Sequence, residues 1–115
     1  MVWLLDTNAW IDYLRNPASN VRARLMERKP EEVSTCSIVR AELLHGARKY
    51  GAPDRRVSIV RETLAPYRSL PFDDAAAEHY AAICVTHKVT LVTANTREFQ
   101  RVADLNISNW QTGEQ

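Results

Sequence analysis

Two carboxylates in this chain stand where an ordinary surface acid does not. Asp6 ends the apolar run Val2-Trp3-Leu4-Leu5, and four apolar residues in a row read as a short strand buried on both faces. Asp6 is therefore expected at the C-terminal end of a strand. That edge is where open α/β sheets bind ligands, and a carboxylate fixed there suits a hard cation. Capping of the next helix is the competing use of the same side chain, although Thr7 and Asn8 are capping residues too. Glu42 lies four positions after Ile38 and three after Val39, so it borders a helix's apolar stripe and is expected not to point straight into water. A side chain that snorkels, or that pairs with Arg40 or His45, is the alternative. A third polar group, Thr93, Asn95 and Glu98, follows the apolar pair Leu91-Val92 and shares the edge of Asp6 if the strands are parallel. Crowded carboxylates repel one another, and a divalent cation relieves the repulsion while lowering the pKa of a bound water.

Holding these groups together takes alternating strands and helices. Beyond the first strand, helices are expected over 9–14 and 18–28 and a strand over 32–36. Ser37 then caps a helix that runs to Tyr50, with either Ile38, Ala41 and Leu44 or Val39, Leu43, Ala47 and Tyr50 as its apolar stripe. Gly51-Ala52-Pro53 ends it. A helix over 54–65, a strand over 67–70, a helix over 74–87 capped by Asp73 or Asp74, and a strand over 89–93 follow. Short segments over 102–105 and 107–110 finish the chain, and 112–115 reads as a frayed tail. This alternation favours an α/β fold, a parallel sheet flanked by helices. A chain of 115 residues fits one domain, 1–115.

Composition narrows the partners. A net charge of +1 argues against a blanket electrostatic grip on nucleic acid, yet twelve of the fifteen basic residues are arginine, whose planar fork suits phosphate and carboxylate. Any such surface must be local, and two clusters qualify: Arg22, Arg24, Arg28 and Lys29, then Arg40, Arg48, Lys49, Arg55 and Arg56. Either is also what a solvated helix face looks like. Asp12 is expected to be exposed and paired with Arg15. Trp3 and Trp10 are read as core or dimer-interface residues, not stacking platforms. Cys36 and Cys84 form no C-x-x-C and are expected as buried free thiols of a cytoplasmic protein. Cys84 and His87 have a Zn²⁺-compatible spacing without a second pair, so core packing accounts better for Cys84. His45 is read as a helix-surface residue. No apolar stretch is long enough to span a membrane.

Three motifs in order, L-L-D-T-N-A-W-I-D-Y-L, S-I-V-R-A-E-L-L-H-G-A and T-L-V-T-A-N-T-R-E-F, followed by Trp110, resemble the PIN-domain proteins of the VapC toxin family over nearly the whole chain. The resemblance implies a PIN-like parallel central sheet flanked by helices, and a Mg²⁺-dependent ribonuclease in which Mn²⁺ substitutes. It further implies the toxin of a type II toxin–antitoxin pair: a homodimer that cuts RNA and is held inactive by a VapB-like antitoxin whose C-terminal peptide lies across the active site. Asp6 and Glu42 match the first two acidic positions and are the implied metal ligands. Asn95 and Glu98 fall in the motif that supplies the fourth. One departure stands out. The family carries a helix-and-loop stretch with a G-x-x-D-x-x-I-A-A pattern, whose aspartate is the third ligand, and here Glu78-His79-Tyr80 runs directly into Ala81-Ala82-Ile83-Cys84. The missing aspartate would fall near Ala77. Asp74 lies on the same helical face and Glu78 is rotated by about 100°, so either is a substitute ligand, and helix capping by Asp73 and Asp74 is the alternative. A shortened connection also invites exchange of elements between subunits.

Two readings of different classes follow. One is a metal-dependent endoribonuclease in which a metal-activated water attacks an RNA phosphodiester in line, with reduced activity from the lost ligand. The other is a catalytically inactive PIN-like module that dimerises or captures antitoxin.

Overall fold

The computed structural model describes residues 2–49, 51–70, 84–85, 88–93 and 105–111. Its centre is strand β1 (Trp3–Leu5), buried at every position as the apolar run requires. β1 pairs in parallel with β2 (Val33–Cys36) on one side and β4 (Thr90–Val92) on the other, with Trp3 opposite both Val33 and Thr90. β3 (Arg68–Leu70) extends the sheet beyond β2, and β5 (Asn106–Ser108) extends it beyond β4. The order is β3-β2-β1-β4-β5, all parallel. The chain thus builds outward to β3, then returns past its own start to add β4 and β5. At the reversal, between β1 and β4, the connections leave in opposite directions and open a crevice at the strands' C-terminal ends.

The burial of each strand follows its place. Central β1, β2 and β4 are wholly buried, as strands covered by helices on both faces must be. The edge strands β3 and β5 expose their first residues, Arg68 and Ser69, and Asn106. The expected parallel sheet and its strands near 32–36, 67–70 and 89–93 are all present. Of the helix expected over 74–87, Cys84 and Val85 are helical and the remainder lies outside the described residues, as do 102–104 and the tail at 112–115.

Helix α1 (Thr7–Arg15) starts one residue earlier than its capping signals suggest. Asp6 is the N-cap, not Thr7 or Asn8: its N–H still donates to Val92 O at 3.0 Å within the sheet, and its Oδ1 accepts from Ala9 N at 2.8 Å. Helix α2 (Asn20–Met26) is capped by Ser19, whose Oγ accepts from Arg22 N at 3.3 Å. Helix α3 (Ser37–Lys49) buries Val39, Leu43 and Ala47, the second of its two possible stripes, because α4 (Pro53–Leu64) packs there with Val57, Val60 and Leu64. The turn between them places Ala52 in the left-handed region, φ 58°, just before Pro53.

Trp10 and Trp110 are fully buried and Trp3 nearly so, which makes them core residues. Trp3 and Trp110 lie with ring centroids 5.4 Å apart, and the Arg28 guanidinium sits 4.8 Å and 4.5 Å over their two rings. Arg28 Nη1 also donates to Arg24 O at 2.6 Å. A cation held over two desolvated indoles contributes on the order of 2 kcal/mol. Arg28→Gln is accordingly expected to lower unfolding free energy by about 1–2 kcal/mol, against less than about 0.5 kcal/mol for the exposed neighbour Lys29→Gln, as read from urea midpoints.

Candidate functional site

Asp6 lies at the reversal crevice, as its position after β1 requires. Only 6% of it is exposed. Its carboxylate accepts the Ala9 N–H and is hydrogen-bonded to the Thr93 side chain, while Thr93 N donates to Ser108 O at 2.9 Å and so fixes the end of β4. Burial pushes the Asp6 carboxyl above the ordinary carboxylate range; the bonds from Thr93 and Ala9 hold the charged form and offset that only in part. One residue on, Thr7 Oγ1 is buried without a hydrogen-bond partner among the described residues. A desolvated carboxylate beside an unsatisfied hydroxyl is a donor set that gains from a hydrated hard cation.

Glu42 departs from expectation: it is exposed. Because Leu43 and its stripe turn toward α4, Glu42, one position earlier, is rotated by about 100° onto the outer surface. Its charge is still felt at the right edge. Cys36 ends β2 beside β1, and its sulfur accepts from the N–H groups of Val39 and Ile38; burial pushes its thiol up and the Glu42 charge adds to this, which places Glu42 within electrostatic reach of that strand end. On its other side Glu42 borders an open groove of ≈ 290 Å³ between α1, α3 and α4, with Ile11, Leu14, Ala47 and Ile59 among its lining residues. The sequence signal for that groove was a surplus of apolar residues on α1 and α4; Ile59 is 40% exposed.

Asn95, Glu98, Asp74, Glu78 and His87 lie outside the described residues. Among the described residues no three His, Cys, Asp or Glu side chains gather as a metal-binding group. Asp12 does not pair with Arg15; it is half-buried and accepts from Ser19 Oγ at 2.5 Å, tying α1 to the cap of α2. His45 is exposed on α3. Both cysteines are free and buried, and burial, helped by Cys36, pushes the Cys84 thiol up to about 12. The first arginine cluster is largely engaged in packing. Arg22 lies 4.3 Å over the Tyr13 ring and its Nη2 donates to Tyr13 O, and Arg28 covers the two tryptophans.

The PIN domain model matches residues 3–88, most of the chain. This chain belongs to the PIN domain family. The resemblance to its VapC members holds over nearly the whole length: the chain is 27% identical to the tRNA(fMet)-specific endonuclease VapC of Shigella flexneri, over 94% of this chain and 97% of that protein. Ribonuclease VapC2 of Haemophilus influenzae is equally similar, at 27% identity over the same shares. Among solved structures, a DNA-bound VapBC complex of Salmonella typhimurium contains a chain that is 26% identical, with a TM-score of 0.84 over 96% of this PIN chain and 98% of that one. The match to the Shigella protein extends over 129 positions, more than the 115 residues here, so at least 14 of them face no residue of this chain.

The raised Asp6 pKa carries a pH dependence. The folded protein binds a proton more tightly than the unfolded chain, so stability falls as pH rises through the interval from the ordinary value of 3.8 to the raised one. Asn caps a helix as well as Asp does, so Asp6→Asn keeps the cap and removes the titration. In metal-free urea titrations the unmodified protein is expected to lose stability relative to Asp6→Asn across that interval; a pH-independent difference would refute the assignment.

Proposed function

We propose that this PIN-domain protein is the endoribonuclease toxin of a type II toxin–antitoxin pair, acting on RNA in the cytoplasm as a homodimer. The observation that carries the reading is the buried, partly satisfied carboxylate of Asp6 at the sheet's reversal point. Relatives matched over nearly their whole length and named for endonuclease and ribonuclease activity support it over the inactive module. Asp6 and Glu42 would hold Mg²⁺, or Mn²⁺ in its place, with Asn95 and Glu98 completing the shell through water. Mg²⁺ keeps several waters and accepts one or two carboxylates together with substrate phosphate, so two acids suffice for a weak site. When bound, the ion supplies a water of lowered pKa and neutralises charge developing on the phosphate.

The chain's own residues do the positioning. Thr93 and the Ala9 N–H fix the Asp6 carboxylate on the floor of the crevice. Glu42 reaches the same edge from outside, where an RNA phosphate has access. A VapB-like antitoxin peptide would fill the apolar groove beside Glu42 and so cover the entrance; the similarity to VapBC complexes supports that partner.

Purified protein is expected to cleave single-stranded RNA with Mg²⁺ or Mn²⁺ and to stop in EDTA. Loss of an outer-shell partner alone costs 10–100-fold, so Asp6→Asn and Glu42→Gln should each lower the rate at least about 100-fold. Mg²⁺ should also raise the melting temperature of the unmodified protein and not that of Asp6→Asn. Equal cleavage by Asp6→Asn and unmodified protein would sink the reading, and no cleavage by either at high metal would favour the inactive module.

A further inference from the structure

The second arginine cluster behaves unlike the first. Between residues 37 and 70 lie seven arginines and lysines against three acids, Glu42, Asp54 and Glu62; with a whole-chain charge of +1, this segment carries +4 and the rest of the chain −3. Arg48, Lys49, Arg55, Arg56 and Arg61 are all exposed. No aromatic ring covers any of them among the described residues, in contrast to Arg22 and Arg28. Arg56 Nε donates to Gly51 O at 2.9 Å and steadies the turn between α3 and α4. Arg48 and Arg61, one from each helix, line the same open, polar groove of ≈ 430 Å³, with Asp54 and Ser58 between.

We propose that this outer face of the α3–α4 hairpin, through Arg48 and Arg61, grips the phosphate backbone of the RNA. The inference rests on the ribonuclease reading and adds to it a substrate-holding surface. Two planar guanidinium forks across an exposed groove match phosphate oxygens. Glu42 and Arg48 are six positions apart on α3, a rise of roughly 9 Å with about 120° of rotation around the helix, so a strand whose phosphate reaches Glu42 passes around α3 to meet the two arginines. Such contacts position the strand without reading its sequence. The face differs from the groove assigned to the antitoxin, which is lined mainly by aliphatic side chains, with Arg15, Glu42 and Arg56 beside them.

The test uses the full chain carrying Asp6→Asn, in EDTA, so that a fluorescein-labelled single-stranded RNA of mixed sequence is bound and not cut. Arg48→Gln/Arg61→Gln is compared with Lys29→Gln/Lys88→Gln, which removes the same charge from exposed sites elsewhere. For single strands each phosphate contact contributes about 0.7 to the slope of log K against log salt. The arginine pair should therefore lower that slope by roughly 1.4 and affinity at low salt by at least about tenfold. The lysine pair should change affinity less than about twofold and leave the slope alone. In the cleaving background the arginine pair should raise KM and spare kcat, with melting temperature unchanged. Equal losses in both pairs would mean a net-charge effect and overturn the proposal, as would unchanged RNA binding. Weakened binding of an antitoxin with intact RNA binding would assign the face to protein and overturn it too. Failure of cleavage with the binding difference intact would sink the ribonuclease reading alone.

Discussion

The buried carboxyl group of Asp6 ties the molecule together. Its N–H closes the β1–β4 pairing onto Val92, its Oδ1 starts helix α1 through Ala9, and the Thr93 side chain joins it to the end of β4. One residue thus ends a strand, begins a helix and carries an acid at the sheet's reversal point. An N-cap contributes about 1 kcal/mol, which favours the ionised form, whereas burial opposes it. The balance leaves the site short of positive charge, so anything cationic that enters the crevice relieves a penalty already built into the fold.

Arginine does two different jobs here, and aromatic neighbours decide which. On and after α2, Arg22 and Arg28 find Tyr13, Trp3 and Trp110 and become part of the packing that seals the start of β1 to the region after β5. Asn20 Nδ2 adds to the same seam, donating to Gln111 O at 2.8 Å. On α3 and α4, Arg48, Arg55, Arg56 and Arg61 meet solvent, and Arg40 is half-buried. Among the described residues the hairpin buries aliphatic side chains, Val39, Leu43 and Ala47 against Val57, Val60 and Leu64, and nothing among them draws a guanidinium inward.

The strand ends were legible because an apolar run that stops on a charge carries both its burial and its limit within a few residues. Asp6, the strand near 89–93 and the parallel arrangement follow from that local pattern. The choice of cap did not: Asp6, Thr7 and Asn8 are all competent, and the answer lies in a bond to Val92, far along the chain. The exposure of Glu42 was hidden for a related reason. Both stripes of α3 satisfied the helical period, and only the docking of α4 selected the one that turns Glu42 outward. Asp12 offered Arg15, three residues away on α1, as easily as Ser19 across the turn, and the α1–α2 packing decided for Ser19.

The short length of the chain shapes the chemistry. It is matched to a relative over more positions than it has residues, and on the proposed reading Asp6 with Glu42 would form a sparse ligand set. In such a site the RNA phosphate itself becomes a major oxygen donor to the ion. Ion and RNA then raise each other's affinity by the same factor, as linkage requires. Part of the ion binding thereby moves from the protein's carboxylates to the surface that holds the RNA. A grip on the backbone at Arg48 and Arg61 would raise the local concentration of that phosphate at Glu42, so the hairpin's charge offsets what the crevice lacks.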